Sequence, residues 1–135
     1  MITNKHVLIT GGGTGIGRAI ALLFADDGAK VTITGRRSKM LEEVADKSVN
    51  IAAFPMDVSN EKEVISVISQ TVSQFGPIQV CVANAGIAEG KKLQNTDLEF
   101  WQKIMATNLD GTFLTIRESM KSMLEADWGR VIAIS

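Results

Sequence analysis

The chain has 135 residues, of which 45% are hydrophobic and 21% charged, and this balance is typical of a globular protein with one core. Its formal net charge is −1 with both signs interspersed, so charge gives no reason to expect nucleic acid or a membrane surface as a partner. The single cysteine, Cys81, excludes an internal disulfide, and no apolar run is long enough for a signal peptide or a membrane span, so we expect one cytoplasmic domain.

Short apolar runs alternate with stretches of helical periodicity along the whole chain. The first run, His6 to Thr10, leads through a glycine-rich turn into a helix that stops near Gly28. A second, β-branched run, Lys30 to Thr34, precedes a short helix that contains Met40, Leu41 and Val44. This alternation predicts β-α units and a parallel sheet.

The next two predicted strands differ in their place in the sheet. The third strand, Ile51 to Met56, contains Pro55, which lacks the N–H that a central strand needs on both sides, so we place it at an edge. Ser59 is the predicted cap of the third helix, and Gly76 ends that helix. The fourth strand, Ile78 to Ala83, is apolar almost throughout and should be central, covered on both faces.

The last third of the chain completes the pattern. Thr96 and Glu99 form a capping-box pattern that opens a fourth helix, a fifth helix runs from Gly111 toward Ala126, and a fifth strand covers Arg130 to Ser135. We therefore predict the α/β class: a Rossmann-type, doubly wound parallel sheet of strand order 3-2-1-4-5, flanked by helices on both faces. Ligands of such sheets bind outside the carboxyl ends of the strands where the order reverses, here between the first and fourth strands.

A glycine cluster, TGGGTGIG, lies at that expected position between the first strand and the first helix. It does not satisfy G-x-G-x-x-G in any register, and the spacing that fits is Gly11, Gly15 and Gly17. A diphosphate binds to backbone N–H groups at a helix N-terminus, and a side chain at these turn positions would block its approach. The alternative is that the glycines only form a tight turn. Of this turn, we expect Gly11, Gly15, Ile16 and Gly17 to hold the diphosphate, and the candidate cofactor-binding residues are Thr10, Gly11, Gly13, Thr14, Gly15, Ile16 and Gly17.

The end of the second strand carries the information on cofactor choice. An acidic residue at this place would bind the ribose 2′-OH of NAD, whereas arginine accommodates the 2′-phosphate of NADP. Arg36 and Arg37 stand there, without a carboxylate, and an arginine fork can meet a phosphate in bidentate fashion. We therefore expect NADP(H) in preference to NAD(H); the alternative is that both arginines are solvated charges at a helix entry.

Four elements in chain order together resemble the short-chain dehydrogenase/reductase family. They are the glycine pattern, the pair Asp57 and Val58, the run Asn84, Ala85 and Gly86, and Asn108. Each alone has a plainer interpretation as a turn, a loop or a helix-breaking residue, but their occurrence together, each at the expected position in the predicted fold, favours the family. Many NADP-using members carry a basic residue at the position of Thr14, so here the cofactor prediction depends on the two arginines.

The resemblance assigns a role to each element. It implies that Asp57 and Val58 contact the adenine ring and that Asn84, Ala85 and Gly86 lie beneath the nicotinamide ribose. It also implies that Asn108 is the catalytic asparagine, which bends a helix and helps to hold a water of the proton relay. The implied function is hydride transfer between the nicotinamide and a small carbonyl or alcohol substrate, in a homo-oligomer, commonly a dimer or tetramer.

Other family residues have no counterpart here. The family places a catalytic serine after the fifth strand and a Tyr-x-x-x-Lys helix beyond it, but this sequence has no tyrosine and ends in VIAIS. Ser135 corresponds to the first of two serines, and the catalytic one would be next. We therefore expect residues 1–135 to be the dinucleotide-binding Rossmann domain of a longer enzyme, without strands six and seven and inactive alone.

Two further functions remain open from the sequence. One is a dinucleotide-binding module without catalysis, and the other is an epimerase or enoyl reductase of the same fold. Single-residue candidates for other chemistry are weak, since His6 and Cys81 both fall in apolar strands where burial is the ordinary outcome. No cluster of histidine, cysteine and carboxylate side chains has the spacing of a metal site.

Overall fold

The computed structural model describes residues 2–135, in which strands and helices alternate along the chain. The strands are β1 (His6–Thr10), β2 (Lys30–Gly35), β3 (Ile51–Pro55), β4 (Ile78–Ala83) and β5 (Arg130–Ala133). The helices are α1 (Gly15–Asp26), α2 (Ser38–Ala45), α3 (Glu61–Phe75), α4 (Leu98–Met105) and α5 (Gly111–Glu125). A 3-10 turn, Leu93–Asn95, precedes α4, and a π-helical segment, Ala106–Asp110, joins α4 to α5.

The strands form one parallel sheet of order β3-β2-β1-β4-β5. This confirms the predicted fold class and strand order. Pro55 lies in the edge strand β3, in register with Gly35 of β2, so only one side of its backbone faces another strand. The order reverses between β1 and β4, which puts a crevice at the carboxyl ends of these two strands.

The sheet is covered on both faces, as predicted. Val7 and Ile9 of β1 pack with α1 and α2, whereas Leu8 between them packs with α3 and α5. The central strands β1 and β4 are therefore buried on both sides, which explains their continuous apolar runs. β5 pairs with β4 alone, and all four of its side chains are exposed.

The third helix begins one residue later than predicted. Its N-cap is Asn60, whose Oδ1 accepts a hydrogen bond of 3.2 Å from the N–H of Glu63. The Ser59 hydroxyl instead donates to Asp57 Oδ1 at 2.7 Å. The prediction of a Ser59 cap was wrong because both residue types cap well, and the serine is engaged in the preceding turn.

The fourth helix shows the same one-residue difference. Its cap is Asp97, whose Oδ1 accepts from the N–H of Phe100 at 2.8 Å. The Thr96 hydroxyl points back and donates to the carbonyl of Lys92 at 3.1 Å. The predicted capping box of Thr96 with Glu99 is therefore wrong, and an aspartate cap replaces it.

His6 and Cys81 are both buried in the sheet, as expected. The Nδ1 atom of His6 lies 2.7 Å from the carbonyl oxygen of Gly76, and its Nε2 atom lies 2.9 Å from Thr32 Oγ1. Because His6 begins β1, it lies at the opposite end of the sheet from the crevice. No helix within residues 2–135 has both the length and the apolar character to cross a membrane.

Candidate functional site

A cleft of about 770 Å³ opens at the carboxyl ends of the strands, at the predicted reversal of strand order. Residues at the end of β2 and directly after β1, β3 and β4 contribute to its lining. The lining residues are Gly11, Gly13, Thr14, Gly15, Ile16, Gly35, Arg36, Arg37, Met40, Leu41, Met56, Asp57, Val58, Asn84, Ala85, Gly86, Ile87 and Thr107. Most of the candidate site residues thus lie around one cleft, although they come from four separate parts of the sequence.

The glycine turn is open toward the cleft and closed toward the protein. Gly11 and Gly15 have φ angles of +66° and +53°, a conformation that favours glycine. A Cβ atom on Gly11 would lie 2.9 Å from Asn84 Nδ2 and 3.1 Å from Ala85 Cα, so the protein side of the turn is filled. Apart from its chain neighbours and the backbone of its own helix, a Cβ atom on Gly15 would have no atom of residues 2–135 within 4 Å. A ligand can therefore approach the backbone at Gly15 without displacing protein.

The start of α1 has the electrostatic character of an anion site. Its N-cap, Thr14, makes no side-chain capping bond, and the first turn contains no acidic residue. The N–H groups of that turn thus have no side-chain acceptor within the described part of the chain, and they lie at the positive end of the helix dipole. Because Thr14, Gly15 and Ile16 line the cleft, this end of the helix faces the same space. Backbone N–H groups in this arrangement can bind phosphate oxygens.

Gly17 does not line the cleft, and it lies packed against the turn. A Cβ atom there would lie 2.2 Å from the carbonyl oxygen of Gly11 and 2.6 Å from Asn84 Nδ2, closer than real contacts allow. Only a glycine at this place lets α1 start directly against the turn.

Thr10 lies buried beneath the cleft, where it ties β1 to the end of β4. Its hydroxyl oxygen accepts hydrogen bonds from the N–H groups of Asn84 and Ala85, both at 3.0 Å. In return, Asn84 Nδ2 donates to the carbonyl oxygens of Thr10 at 3.0 Å and of Gly11 at 3.3 Å. These four bonds fix the two strand ends that flank the crevice.

Arg36 and Arg37 follow β2 directly and line the cleft with exposed side chains. Neither forms an ion pair with any residue from 2 to 135. Helix α2 begins immediately after Arg37 and has no acidic residue in its first turn. Two cations without an ion-pair partner among residues 2–135 and a helix N-terminus therefore border the same corner of the cleft.

Asp57 lines the cleft just after β3, and its carboxylate is held in place. Oδ1 accepts from the N–H of Ser59 at 2.9 Å and from the Ser59 hydroxyl at 2.7 Å, whereas Oδ2 has no hydrogen-bond partner among residues 2–135. Partial burial raises the pKa of Asp57, but the two bonds from Ser59 and the nearby charge of Arg36 outweigh it and leave the pKa below its ordinary value. The group is therefore a carboxylate at neutral pH.

Asn108 lies in the π-helical segment between α4 and α5, the place predicted for it. Its Oδ1 accepts from the N–H of Ile87 and its Nδ2 donates to the carbonyl of Ile87, both at 2.8 Å. The side chain thus joins the helix junction to the loop after β4. Asn108 itself does not line the cleft, but its partner Ile87 and its neighbour Thr107 do. Single π-turns within helices are frequent at functional sites.

Sequence reasoning missed six residues that line the cleft. They are Gly35, Met40, Leu41, Met56, Ile87 and Thr107. All but Met40 and Leu41 directly adjoin a residue that the motifs identify, so adjacency alone could have found them. Met40 and Leu41 reach the cleft because α2 packs on the glycine turn, where a Cβ atom on Gly13 would lie 3.4 Å from atoms of both.

Comparisons with known proteins agree with this geometry. A family model described as short chain dehydrogenase matches residues 5–135. An uncharacterized oxidoreductase of Staphylococcus aureus (strain MW2) is 32% identical over 137 residues, which cover 100% of this chain and 59% of that protein. The NADP-dependent (R)-specific alcohol dehydrogenase of Lentilactobacillus kefiri is 38% identical over 135 residues, which cover 97% of this chain and 53% of that protein.

A solved structure gives the same result for the fold. The crystal structure of a 3-ketoacyl-ACP reductase from Sinorhizobium meliloti 1021 superimposes with a TM-score of 0.93 at 36% sequence identity, covering 96% of this chain and 53% of that one. The chain thus spans 53% to 59% of the length of these three relatives. Because the family model matches the sequence from residue 5 to residue 135, the protein belongs to the short-chain dehydrogenase family.

Proposed function

We propose that the protein is an NADP(H)-dependent oxidoreductase that transfers hydride between the nicotinamide and a small carbonyl or alcohol substrate. The observation that carries the proposal is that Arg36 and Arg37 line one cleft with the glycine turn, and neither is paired with a carboxylate of residues 2–135. A relative of 38% identity is described as NADP-dependent, which supports the choice of cofactor. Since the chain spans little more than half of its relatives, this activity is proposed for the whole protein, with residues 1–135 as its dinucleotide-binding domain.

The residues around the cleft fit the chemical groups of the dinucleotide. In the proposal, the first-turn N–H groups of α1 hold the diphosphate, because Gly15 leaves their approach open. Arg36 and Arg37 hold the 2′-phosphate with charge-assisted hydrogen bonds. The bound nicotinamide would supply or accept the hydride, while the protein orients it.

The remaining candidate residues take the other parts of the cofactor. Asp57 and Val58 border the adenine, and the segment from Asn84 to Gly86 lies beneath the nicotinamide ribose. Asn108 helps to hold a relay water. Because both groups of its amide bind Ile87, its side chain contributes indirectly, by shaping the helix junction. We further propose a cytoplasmic homo-oligomer, for which the exposed side chains Phe113 and Leu124 of α5 are candidate contacts.

The cofactor assignment is tested by exchanging the charge at the end of β2. We expect Arg36→Asp to weaken NADPH binding by roughly 10- to 100-fold, because one charge-assisted hydrogen bond is lost and a repulsion is added. NADH binding should be kept or improved, since the new carboxylate can accept from the ribose 2′-OH. Titration of the nicotinamide fluorescence with both cofactors measures the two affinities.

The matched control is Lys39→Asp, which makes the same change of charge three residues away at an exposed side chain that does not line the cleft. It should leave the ratio of NADPH to NADH affinity nearly unchanged. An Arg36→Asp variant that keeps the wild-type ratio would remove the proposed phosphate contact. Failure of the wild-type protein to bind either cofactor would remove the proposed function.

A further inference from the structure

Glu63, in the first turn of α3, makes an unusual capping contact. In an ordinary capping box, the glutamate at this position bonds to the N–H of the cap residue. Here the N–H of Asn60 is already bonded to the carbonyl of Asp57 at 3.0 Å. Glu63 therefore reaches further back, and its Oε2 accepts from the N–H of Asp57 at 2.8 Å. The start of α3 is thus bonded directly to a residue of the cleft.

The Glu63 carboxylate is itself fixed. Its Oε1 accepts from Asn60 Nδ2 at 3.3 Å, and its own N–H donates to Asn60 Oδ1 at 3.2 Å. The side chain thus spans the turn from Asp57 to the helix, with one carboxylate oxygen at each end. A change at Glu63 should therefore loosen the backbone of Asp57 before it disturbs the rest of the site.

One oxygen of the Asp57 carboxylate has no hydrogen-bond partner among residues 2–135. Its N–H is held by Glu63 and its Oδ1 by the two bonds from Ser59, so the position of the unpartnered Oδ2 is set by three hydrogen bonds. Because Asp57 lines the cleft, this acceptor is available to a ligand there. A carboxylate accepts hydrogen bonds and cannot donate them, so it favours a base with an exocyclic amine, such as adenine, over one with a carbonyl at that place, such as hypoxanthine.

We propose that Glu63 is a positioning residue that acts through Asp57 to give the cleft its selectivity for adenine over hypoxanthine in the bound dinucleotide. The inference rests on the proposed function, because it takes the base next to Asp57 to be that of NADP(H). It assigns a part in ligand selectivity to a side chain that lies outside the cleft lining.

The test compares NADPH with its reduced hypoxanthine analogue, in which a carbonyl replaces the adenine amine. We expect the wild-type protein to bind NADPH roughly tenfold more tightly than the analogue, the size of one charge-assisted hydrogen bond. Glu63→Ala should bring this ratio close to one, whereas Glu63→Gln should restore most of it, because the glutamine oxygen can still accept from the N–H of Asp57. A fraction of unfolded protein weakens both titrations equally and cancels in the ratio.

Two further variants separate the possible failures. Glu61→Ala removes the same charge from the same helix turn. Because Glu61 bonds to Arg117, this change leaves residues 57 to 60 untouched. The ratio of NADPH affinity to analogue affinity should therefore stay at the wild-type value. Asp57→Asn should reverse the selectivity, because an amide nitrogen can donate to the hypoxanthine carbonyl. If Asp57→Asn changes the ratio and Glu63→Ala does not, the positioning role is wrong. If neither the wild type nor Asp57→Asn discriminates, the adenine contact is wrong, and if no dinucleotide binds, the proposed function fails.

Discussion

Single glycines of the turn are required for different physical reasons. Gly15 needs its left-handed backbone and has free space around it, whereas Gly17 has helical geometry and no space for a side chain. Gly11 has both constraints. The consequence is that substitutions at the three positions should fail by different mechanisms.

The constraint at Gly17 gives a sharp prediction. Alanine is favoured over glycine by about 1 kcal/mol within a helix, so propensity alone would make Gly17→Ala stabilising. The new methyl group would lie 2.2 Å from the carbonyl oxygen of Gly11, and the turn or the helix has to move. We expect a net loss of about 1 to 3 kcal/mol in the free energy of unfolding, together with weaker NADPH binding. Urea unfolding and cofactor titration measure the two effects.

Gly90→Ala is the matched control for this substitution. Gly90 has no positive φ angle, and a Cβ atom there would meet no atom of residues 2–135 within 4 Å apart from its chain neighbours. Its alanine variant should be within about 0.5 kcal/mol of the wild type, as is usual for surface changes. A Gly17→Ala variant as stable as this control would show that the turn relaxes freely around the methyl group.

The candidate site could be predicted only in part at this level. The glycine spacing and the two arginines have local signals, and the structure brings both to one cleft. Met40 and Leu41 are ordinary apolar residues in the sequence, and they line the cleft only because α2 packs on the glycine turn. No local pattern contains that information, since it arises from tertiary contacts.

Among the helices and strands, the element types were predictable and some exact ends were not. The pairs Ser59-Asn60 and Thr96-Asp97 each place two good cap residues side by side. In both pairs the structure uses the second residue, because the hydroxyl of the first is bonded within the preceding turn. The sequence does not reveal which of two competing local bonds is made.

The cap of α4 can be tested directly. Asp97→Ala removes the acceptor for the N–H of Phe100 and a negative charge at the positive end of the helix, so it should cost about 1 kcal/mol. Thr96→Ala removes only an exposed bond to the carbonyl of Lys92 and should cost roughly half as much or less. Urea unfolding of the two variants gives the comparison. The reverse order of stability would restore Thr96 as the cap.

For the whole molecule, the strand order was predictable because two physical limits act on different strands. A strand that contains Pro55 cannot be fully hydrogen-bonded to strands on both sides, because proline lacks a backbone N–H. A strand that is apolar on both faces, such as Ile78–Ala83, has to be covered by helices on both faces. With right-handed crossovers, few arrangements satisfy both limits. The π-helical segment could not be derived in this way, because neither limit acts on it and its Asn108 bonds to Ile87, which lies in a different part of the sequence.

The stability of the molecule should depend on pH through His6. Burial lowers the pKa of this histidine; the bond to the carbonyl of Gly76 opposes the effect, and the charge of Lys30 adds to it. Since the unfolded chain then binds a proton more readily than the folded one, the free energy of unfolding should fall as the pH drops below the ordinary value of 6.5. The loss should be complete once the pH is below the folded pKa. Urea unfolding at pH 7.5 and at pH 5.5 checks this.

The variant for comparison is His6→Asn, whose amide can still donate to the carbonyl of Gly76 but does not titrate. It should be less stable at every pH and should lose the difference between pH 7.5 and pH 5.5. Asp57 and Glu118 also have lowered pKa values, from ordinary values of 3.8 and 4.5. Their contributions to the free energy of unfolding therefore change mainly below those values, outside the range from pH 5.5 to pH 7.5. An equal difference in both proteins would assign the pH dependence to another group.

The paired bonds between Asn108 and Ile87 also have a mechanical consequence. One amide group holds both the N–H and the carbonyl of a single residue, so the loop after β4 and the junction of α4 with α5 can separate only if both bonds break together. One side chain therefore ties the junction of the two helices to the wall of the cleft, to which Ile87 contributes.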